Sequence, residues 1–334
     1  MQTSQISAAS VAAARTSAAW CDRSSWTILK LTGSDRIDLL HRLTTADLSD
    51  VRPGYGKHTV LLTDKARIID VLGILHDADS SYLLCSPGQN AAIMQWLRKY
   101  VIMDDVKLHD ESTLHEMLEI CGPRSAEVVE QLCGTSVGGF ALDQWCAVEL
   151  DDTSVIITRQ PSPCEVSYWI IAPKKTAEAI RAGLREHQDV LPELAPLEVE
   201  YVRILAGMGK HGNEWTDAYN PLEAGLLHLT SFAKGCYIGQ EVVARLDSYN
   251  KVKQRVMGLT STQQVSVGAR LLVDGADIGV VTSVTPSCSG ASWYALGYVR
   301  GEHAHPNAPL QARESDVLVS VTQHQLPMED LSCR

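Results

Sequence analysis

A cysteine with charged and polar neighbours is the most chemically suggestive residue in this 334-residue sequence. Cys236 lies in the segment K-G-C-Y-I-G-Q-E, residues 234–241, close to Lys234 and just ahead of a helical pattern that starts near Gly239. A helix N-terminus presents unpaired N–H groups and a partial positive charge, and a lysine adds to that field. Both effects favour the thiolate, which is the nucleophilic form of cysteine. This placement makes Cys236 a candidate for a reactive thiol.

The neighbours of Cys236 are residue types that can bind a ligand. Gly235 and Gly239 permit tight backbone paths or the close approach of a ligand. Gln240 and Glu241 fall in the first turn of the predicted helix, where the helix dipole favours an acid and polar groups can be bound. A lone cysteine is more often a small buried hydrophobic residue, however, and glycines near a helix start are often caps or turns. Residue types alone leave both interpretations open.

Composition argues against several classes of function. A net charge of -11 without any Lys/Arg-rich block argues against direct nucleic-acid binding. Nine scattered cysteines without a C-x-x-C pair predict free thiols in a reducing compartment and no metal site. No apolar run is long enough to cross a bilayer, and the Ala/Ser-rich N-terminus carries Arg15 as its only charge, fewer arginines than a transit peptide usually has. We expect a cytoplasmic protein that does not bind membranes, with a helix at its N-terminus.

Strand and helix patterns indicate how these residues are positioned. Residues 26–100 read as strand, helix, three strands and helix, and residues 114–186 show a related order. Antiparallel strands with helices on one face predict an α+β fold rather than a doubly wound one. After about Val252, short strands and glycine-rich turns predict a small terminal barrel or sandwich.

Residues 234–241 resemble the signature K-G-C-[FY]-x-G-Q-E of YgfZ-type folate-binding proteins, which are relatives of the glycine-cleavage aminomethyltransferases. All eight positions match without a gap. Other segments are similar to further parts of the same superfamily: L-L-H-R-L-T-T-A-D-L, P-L-E-A-G-L, D-G-A-D-I-G-V-V-T-S and A-L-G-Y-V-R, which begin at Leu39, Pro221, Asp274 and Ala295. The resemblance covers residues 20–322.

The resemblance implies a three-domain cloverleaf of antiparallel sheets with helices around a central folate pocket, with a C-terminal β-barrel as the third leaf. We place the first domain at residues 1–51 and 113–250, an inserted α+β domain at 52–112 and the barrel at 251–334. The implied cofactor is tetrahydrofolate or a derivative, and the implied role is assembly or repair of iron–sulfur enzymes, with support of tRNA modification. The expected partners are folate and iron–sulfur client enzymes or assembly factors, and we expect a monomer.

The resemblance also assigns roles to individual residues. It makes Cys236 the functional thiol. The residues expected to bind the folate are Asp70, Arg203, Glu223, Lys234, Gly235, Tyr237, Gly239, Gln240 and Glu241.

Two carboxylates of the related glycine-cleavage T-proteins are missing here. Those transferases carry G-G-x-x-D-D, whose second Asp assists one-carbon transfer, and R-L-E-A-G, whose Glu helps to hold the pterin. In the present sequence, the segment A-R-I-I-D-V places Asp70 on the first Asp and Val71 on the second, and R-I-L-A-G places Leu205 at the Glu. Because losing one charged hydrogen bond costs about 1.5–3 kcal/mol, we predict no aminomethyltransferase activity.

Two alternatives stay open. A shift of one residue in the register around Asp70 would make that residue the folate-facing acid. The protein would then be a one-carbon transferase or demethylase. The other alternative is an interaction module whose folate pocket is vestigial.

Overall fold

The computed structural model describes residues 5–248, 252–315 and 317–329. Its helices are α1 (Ala8–Thr16), α2 (Arg36–Leu43), α3 (Asn90–Arg98), α4 (Ser125–Cys133), α5 (Lys174–Glu186), α6 (Pro196–Ala206) and α7 (Gln240–Ser248), with 3-10 turns at Leu227–Leu229 and Gly301–His303. Its strands are β1 (Ala19–Asp22), β2 (Thr27–Thr32), β3 (Tyr55–Leu62), β4 (Ile68–His76), β5 (Ser80–Cys85), β6 (Lys107–Asp110), β7 (His115–Cys121), β8 (Trp145–Leu150), β9 (Thr153–Gln160), β10 (Ser167–Pro173), β11 (Gln254–Ser261), β12 (Arg270–Val273), β13 (Ala276–Pro286), β14 (Trp293–Arg300), β15 (Pro309–Glu314) and β16 (Val317–His324).

The chain divides into two compact units, each built from segments that are distant in sequence. One consists of Met1–Ala12, Leu194–Leu227 and Glu241–Arg334, and we call it the barrel unit. The other consists of Ala13–Glu193 and His228–Gln240, and we call it the two-sheet unit. We call residues 234–241 the signature segment. All of its residues except Glu241 belong to the two-sheet unit.

Two antiparallel five-stranded sheets make up the two-sheet unit, with strand orders β1-β7-β10-β9-β8 and β3-β4-β5-β2-β6. Successive side chains of a strand point to opposite faces, so both faces of these apolar strands are buried. In β10, Ile170 packs in the core formed with α4 and α5, whereas Trp169 and Ile171 pack in a second core that also contains Leu75 of β4. The two sheets therefore pack face to face and carry their helices on the outer faces.

The barrel unit contains a closed antiparallel barrel with strand order β11-β14-β13-β12-β15-β16. Leu259, Leu271 and Val281 contribute to its apolar core. Register shifts at 271–272 and 281–283 bend two of the strand pairs, as closure of a small barrel requires. Gly297 is needed at one close approach, because a Cβ there would lie 2.8 Å from the carbonyl oxygen of Val280.

The α+β class, the antiparallel sheets and the C-terminal barrel agree with the prediction from the sequence. The pattern missed β1, β6 and β8, which all lie at sheet edges. Edge strands bury less of their surface, so β6 reads K-L-H-D and is mostly exposed, without the alternation that marks a strand. No helix in the described part of the protein is long and apolar enough to cross a membrane. The predicted domain boundaries stay a prediction.

Candidate functional site

Lys234 anchors the signature segment within the two-sheet unit. Its Nζ donates hydrogen bonds to the carbonyl oxygens of His41, of Thr44 at 2.8 Å and of Ala46 at 2.7 Å. The last carbonyls of a helix have no partner within the helix, and α2 ends at Leu43, so the carbonyl oxygen of His41 is available to Lys234. An ammonium group has three donors, and all three are used here.

This arrangement changes how Lys234 can act on Cys236. Burial lowers the pKa of Lys234 to about 8, with the carboxylate of Asp47 acting in the opposite direction. The ring centroid of Tyr237 lies 5.0 Å from the ammonium nitrogen. Because its three N–H groups bind carbonyl oxygens, Lys234 fixes the loop that carries Cys236 and has no donor left for the thiol. Its predicted contact with folate stays a prediction.

Gly239 provides the second anchor. Its φ of +81° lies in the left-handed region, and a Cβ there would approach the carbonyl oxygen of Thr63 to 2.9 Å and Cα of Ala66 to 3.1 Å. Only glycine fits this position without displacing backbone. Gly235 is different, because a Cβ there would have His41 Nε2 as its nearest contact, at 4.0 Å. The signature segment therefore packs against the β3–β4 turn through Gly239.

Between these two anchors, the segment exposes Cys236 and buries Tyr237. Cys236 is the exposed member of the free cysteines that the structure describes, whereas Tyr237 is only 6% exposed. Burial raises the pKa of Tyr237 to about 12, and its hydroxyl has no hydrogen-bond partner among the described residues. Gln240 Oε1 accepts the N–H of Tyr237 at 3.3 Å at the start of α7. An exposed thiol is thus followed in the sequence by a buried hydroxyl that lacks a partner among the described residues.

Asp70 is fully buried in β4, on the face that packs against α2 and α3. Its Oδ2 accepts the N–H of Ser86 at 2.9 Å, and its Oδ1 accepts the hydroxyl of Ser86 at 2.6 Å and the N–H of Val71 at 2.9 Å. Both oxygens thus have partners within the sheet. The predicted contact of Asp70 with folate is untested, and these contacts give the carboxylate a structural role.

Val71 lies on the opposite face of β4, together with Gly73. The preceding turn supports the alignment that puts Val71 where the transferases have their second Asp. Ala66 adopts a φ of +56°, a conformation that suits glycine, and it lies at the first glycine of the G-G-x-x-D-D pattern. Val71 itself is a buried apolar side chain, and its alignment with the transferase Asp stays a prediction.

The same face of the β3–β4 pair carries a polar pair that the sequence analysis missed. His58 pairs with Gly73 across the ladder, and its Nδ1 lies 2.6 Å from Asp143 Oδ1. Asp143 Oδ2 also accepts the backbone N–H of His58 at 3.1 Å, and Asp143 adopts a φ of +63°. The two residues are separated by 85 positions, so no local pattern could have indicated this pair.

Arg203 belongs to the barrel unit, where it lies in a buried polar network. Its guanidinium donates to Glu200 at 2.8 Å, to Glu214 at 3.2 Å and to Ser283 Oγ at 2.8 Å, as well as to the carbonyl oxygen of Met208 at 2.6 Å. These contacts join α6 to the barrel strand β13. The arginine is thus held by protein groups, and its predicted role in binding folate stays a prediction.

Three other positions of interest lie in the barrel unit. Glu223 is buried and forms a reciprocal turn with Asn220: Glu223 Oε2 accepts the N–H of Asn220 at 3.1 Å, and Asn220 Oδ1 accepts the N–H of Glu223 at 3.1 Å. Leu205 is buried on α6, and its alignment with the transferase Glu stays a prediction. Glu241 is exposed on α7.

The other cysteines differ from Cys236 in their placement. Cys21, Cys85, Cys121, Cys133 and Cys164 are buried free thiols, and Cys146 is half-buried. Cys288 is disulfide-bonded, so the expectation that the cysteines are all free is wrong at this position. Among the residues that the structure describes, no group of three or more His, Cys, Asp or Glu side chains could hold a metal ion.

Comparison with known proteins finds two family matches that together span most of the sequence. Residues 1–234 match the GCVT N-terminal domain, and residues 254–330 match the glycine cleavage T-protein C-terminal barrel domain.

Individual relatives share less than a third of their residues with this chain. "Putative transferase At1g60990, chloroplastic" of Arabidopsis thaliana is 29% identical over 284 residues, which cover 65% of the plant protein and 85% of this chain. An aminomethyltransferase of Saccharopolyspora erythraea is 24% identical over 323 residues, covering 88% of that protein and 94% of this chain. The crystal structure of glycine cleavage system aminomethyltransferase T from Bartonella henselae matches with a TM-score of 0.84 at 22% identity; the match covers 88% of the Bartonella protein and 96% of this chain. At that identity the structural match shows a shared fold.

Proposed function

The chain belongs to the glycine cleavage T-protein family, and from this premise we propose that it binds tetrahydrofolate or a derivative without transferring an aminomethyl group. We assign Cys236 as the working thiol in assembly or repair of iron–sulfur enzymes, with those enzymes or their assembly factors as partners and the cytoplasm as the compartment. One observation carries the proposal. A loop held by Lys234 and Gly239 exposes Cys236 and buries the neighbouring Tyr237 hydroxyl, which has no partner in the part of the chain that the structure describes.

The Tyr237 hydroxyl is the feature that fits a folate. A buried hydroxyl without a hydrogen bond costs about 1–3 kcal/mol, and a ligand group that pairs with it would recover that cost. A pterin carries N–H donors and ring-nitrogen acceptors, so either role of a phenol can be matched. When bound, a tetrahydrofolate would supply a carrier for one-carbon groups. The protein's own contribution is to bind and orient it.

The absence of two carboxylates supports binding without transfer. Val71 and Leu205 are buried apolar side chains at the positions where the transferases carry their acids. Neither side chain can accept a hydrogen bond or orient an amine. Cys236 is exposed, so a partner can reach it from solvent.

Folate binding can be measured by titrating the full chain with tetrahydrofolate and following tryptophan fluorescence. Tyr237→Phe removes the unpartnered hydroxyl and should weaken binding about tenfold, because a hydrogen bond worth about 1.5 kcal/mol is lost. Tyr168→Phe is the matched control, since its hydroxyl already donates to the carbonyl oxygen of Val137 at 2.9 Å. No binding to the unaltered protein would favour the interaction module, and equal affinities would remove Tyr237 from the site.

The role of the thiol requires a cellular measurement. Cys236→Ser should abolish complementation in a host that lacks its own homologue, scored by the activity of an iron–sulfur enzyme. Because Cys236 is exposed, the free energy of unfolding of the Cys236→Ser variant should stay within about 0.5 kcal/mol of that of the unaltered protein. Cys146→Ser is the control and should complement. Full complementation by Cys236→Ser would refute the assignment.

One-carbon transfer is the second candidate, and the descriptions of the plant and bacterial relatives favour it. Folate-dependent release of formaldehyde or ammonia from aminomethyl donors would demonstrate it. We expect no turnover. If turnover occurs and Asp70→Asn abolishes it without unfolding the protein, Asp70 is the shifted acid and the transferase assignment is correct.

A further inference from the structure

A cleft of about 730 Å³ lies at one end of the barrel, where β11 begins and β14 ends. It is lined by residues 252–255 and 300–302. Gln254 pairs with Arg300 across the β11–β14 ladder, and the N–H of Gly301 donates to the carbonyl oxygen of Lys253 at 2.9 Å. The barrel's own hydrogen bonds therefore hold the walls of the cleft. Its volume falls within the range of small-molecule sites, about 300–1,000 Å³.

Three cationic residues line this cleft: Lys253, Arg255 and Arg300. Met257 and Leu259 fill the barrel core, so the alternation along β11 directs Arg255 to the mouth of the barrel. Arg300 lies on the outer face with Gln254, its partner across the ladder. The cations thus approach the cleft from two sides of the strand pair.

These three cations have no carboxylate partner within the residues that the structure describes. The only acid in the lining is Glu302, whose Oε1 lies 3.7 Å from His303 Nε2. Elsewhere in the same unit, Arg203 pairs with both Glu200 and Glu214. In a protein with a net charge of -11, this lining has three cations and one acid, so its charge is opposite in sign to that of the whole protein. Like charges that are close together repel each other, and bound anionic oxygens relieve that repulsion.

We propose that this cleft binds a small polyanion, a molecule with two or three clustered carboxylate or phosphate groups. The two guanidinium groups can bind such groups in bidentate fashion, and Lys253 adds a compact charge. The amide of Gln254 supplies a further donor. A ligand with several negative charges matches the three cations better than a single carboxylate does.

Calorimetric titration of the full chain tests this site with two probes, citrate and inorganic tripolyphosphate, measured separately. Arg255→Gln and Arg300→Gln should each weaken binding of the preferred probe about tenfold or more, because each removes a charge-assisted hydrogen-bonding group. Arg313→Gln is the control: it makes the same charge change on exposed β15 of the same barrel, outside the cleft. Affinity for this variant should stay unchanged, and all three should melt at the temperature of the unaltered protein.

The two probes separate the possible sources of the anionic groups. Binding of citrate alone assigns a polycarboxylate, and binding of tripolyphosphate alone assigns a polyphosphate. If Arg313→Gln weakens binding as much as the cleft variants do, the interaction is non-specific attraction to the barrel surface and the proposal is wrong. Failure of both probes to bind the unaltered protein at physiological salt also overturns it. Should Arg255→Gln unfold, Arg300→Gln alone carries the test.

Discussion

At the scale of single residues, exposure separates Cys236 from the other free cysteines. Burial raises the pKa of the Cys21 and Cys85 thiols well above their ordinary value. A hydrogen bond with Cys164 and burial do the same for Cys121, with the hydrogen bond as the larger cause. A thiol that is both buried and protonated reacts slowly with alkylating reagents. Accessibility alone therefore favours Cys236.

Brief treatment with limiting iodoacetamide at neutral pH should modify Cys236 before any of Cys21, Cys85, Cys121, Cys133 and Cys164. The measurement is peptide mapping by mass spectrometry over a time course. Labelling in urea is the control, because unfolding should remove the difference between sites. If a buried cysteine is labelled as fast as Cys236 in the folded protein, the thiol of Cys236 is not exposed in solution.

Lys234 should contribute to stability through its three carbonyl contacts. Lys234→Met removes the donors and leaves three acceptors in a buried setting, so we expect the free energy of unfolding to fall by about 1–3 kcal/mol. Urea unfolding measures the change. Lys175→Met, at an exposed position of α5, is the control and should have little effect. A variant as stable as the parent would show that the burial cost of the ammonium cancels its hydrogen bonds.

At the scale of elements, the turn between β3 and β4 holds the signature segment by close backbone packing at Gly239. The two glycines of the segment make different demands. Gly239 has a left-handed φ and backbone atoms within 3.2 Å of a would-be Cβ, whereas the nearest atom to a Cβ at Gly235 would be 4.0 Å away. Gly239 is therefore required by the backbone conformation, whereas Gly235 has space for a Cβ and its contact with a ligand stays a prediction.

Gly239→Ala should lower the free energy of unfolding by about 1–2 kcal/mol from backbone strain alone, before any clash with Thr63 and Ala66 is counted. Gly235→Ala is the matched variant at the other glycine. We expect its free energy of unfolding to stay within about 0.5 kcal/mol of that of the parent. Chemical denaturation of both proteins decides. Equal stability of the two variants would contradict the close approach at Gly239.

At the scale of the whole molecule, acid should destabilise the protein in two steps. Burial lowers the pKa of His324, and burial together with the positive charge of Arg36 lowers that of His76. Burial opposes ionisation of Glu119, but Arg23 and hydrogen bonds from Ser167 and Cys21 outweigh it, so the pKa of Glu119 lies below its usual value. These groups lie in both units, so each unit has an acid-sensitive site.

The direction of each step follows from which state binds protons first. Above pH of about 6.5 the histidines are neutral in both states, and below it the unfolded chain is protonated first, so stability falls. Below about pH 4.3 the unfolded chain protonates its glutamates while Glu119 stays ionised, so stability falls again. His324→Gln should flatten the first step and Glu119→Gln the second, with His305→Gln as an exposed control. Urea unfolding from pH 7.5 to 3.5 measures both. If stability depends on pH in His324→Gln as it does in the unaltered protein, His324 does not cause the first step.

The sequence by itself determined the local elements and the family. Apolar periodicity predicted α2 and α3 to within about two residues, and the glycine before Gln240 correctly indicated where α7 begins. The T-T-A-D-L and K-G-C-Y-I-G-Q-E segments indicated the superfamily, and the short strands after Val252 indicated the barrel that the structure contains. These signals are local, because helix and strand periods and turn residues act over a few positions.

Only the tertiary structure decided what the predicted site residues touch. Lys234 bonds to carbonyl oxygens about 190 positions away, Asp70 is buried against Ser86, and the Tyr237 hydroxyl is left without a partner among the described residues. None of these outcomes has a local signal, because each depends on which surfaces meet when strands and loops that are distant in sequence pack together. The same holds for the edge strands β1, β6 and β8, whose pairing is determined by the neighbouring strand rather than by their own residues.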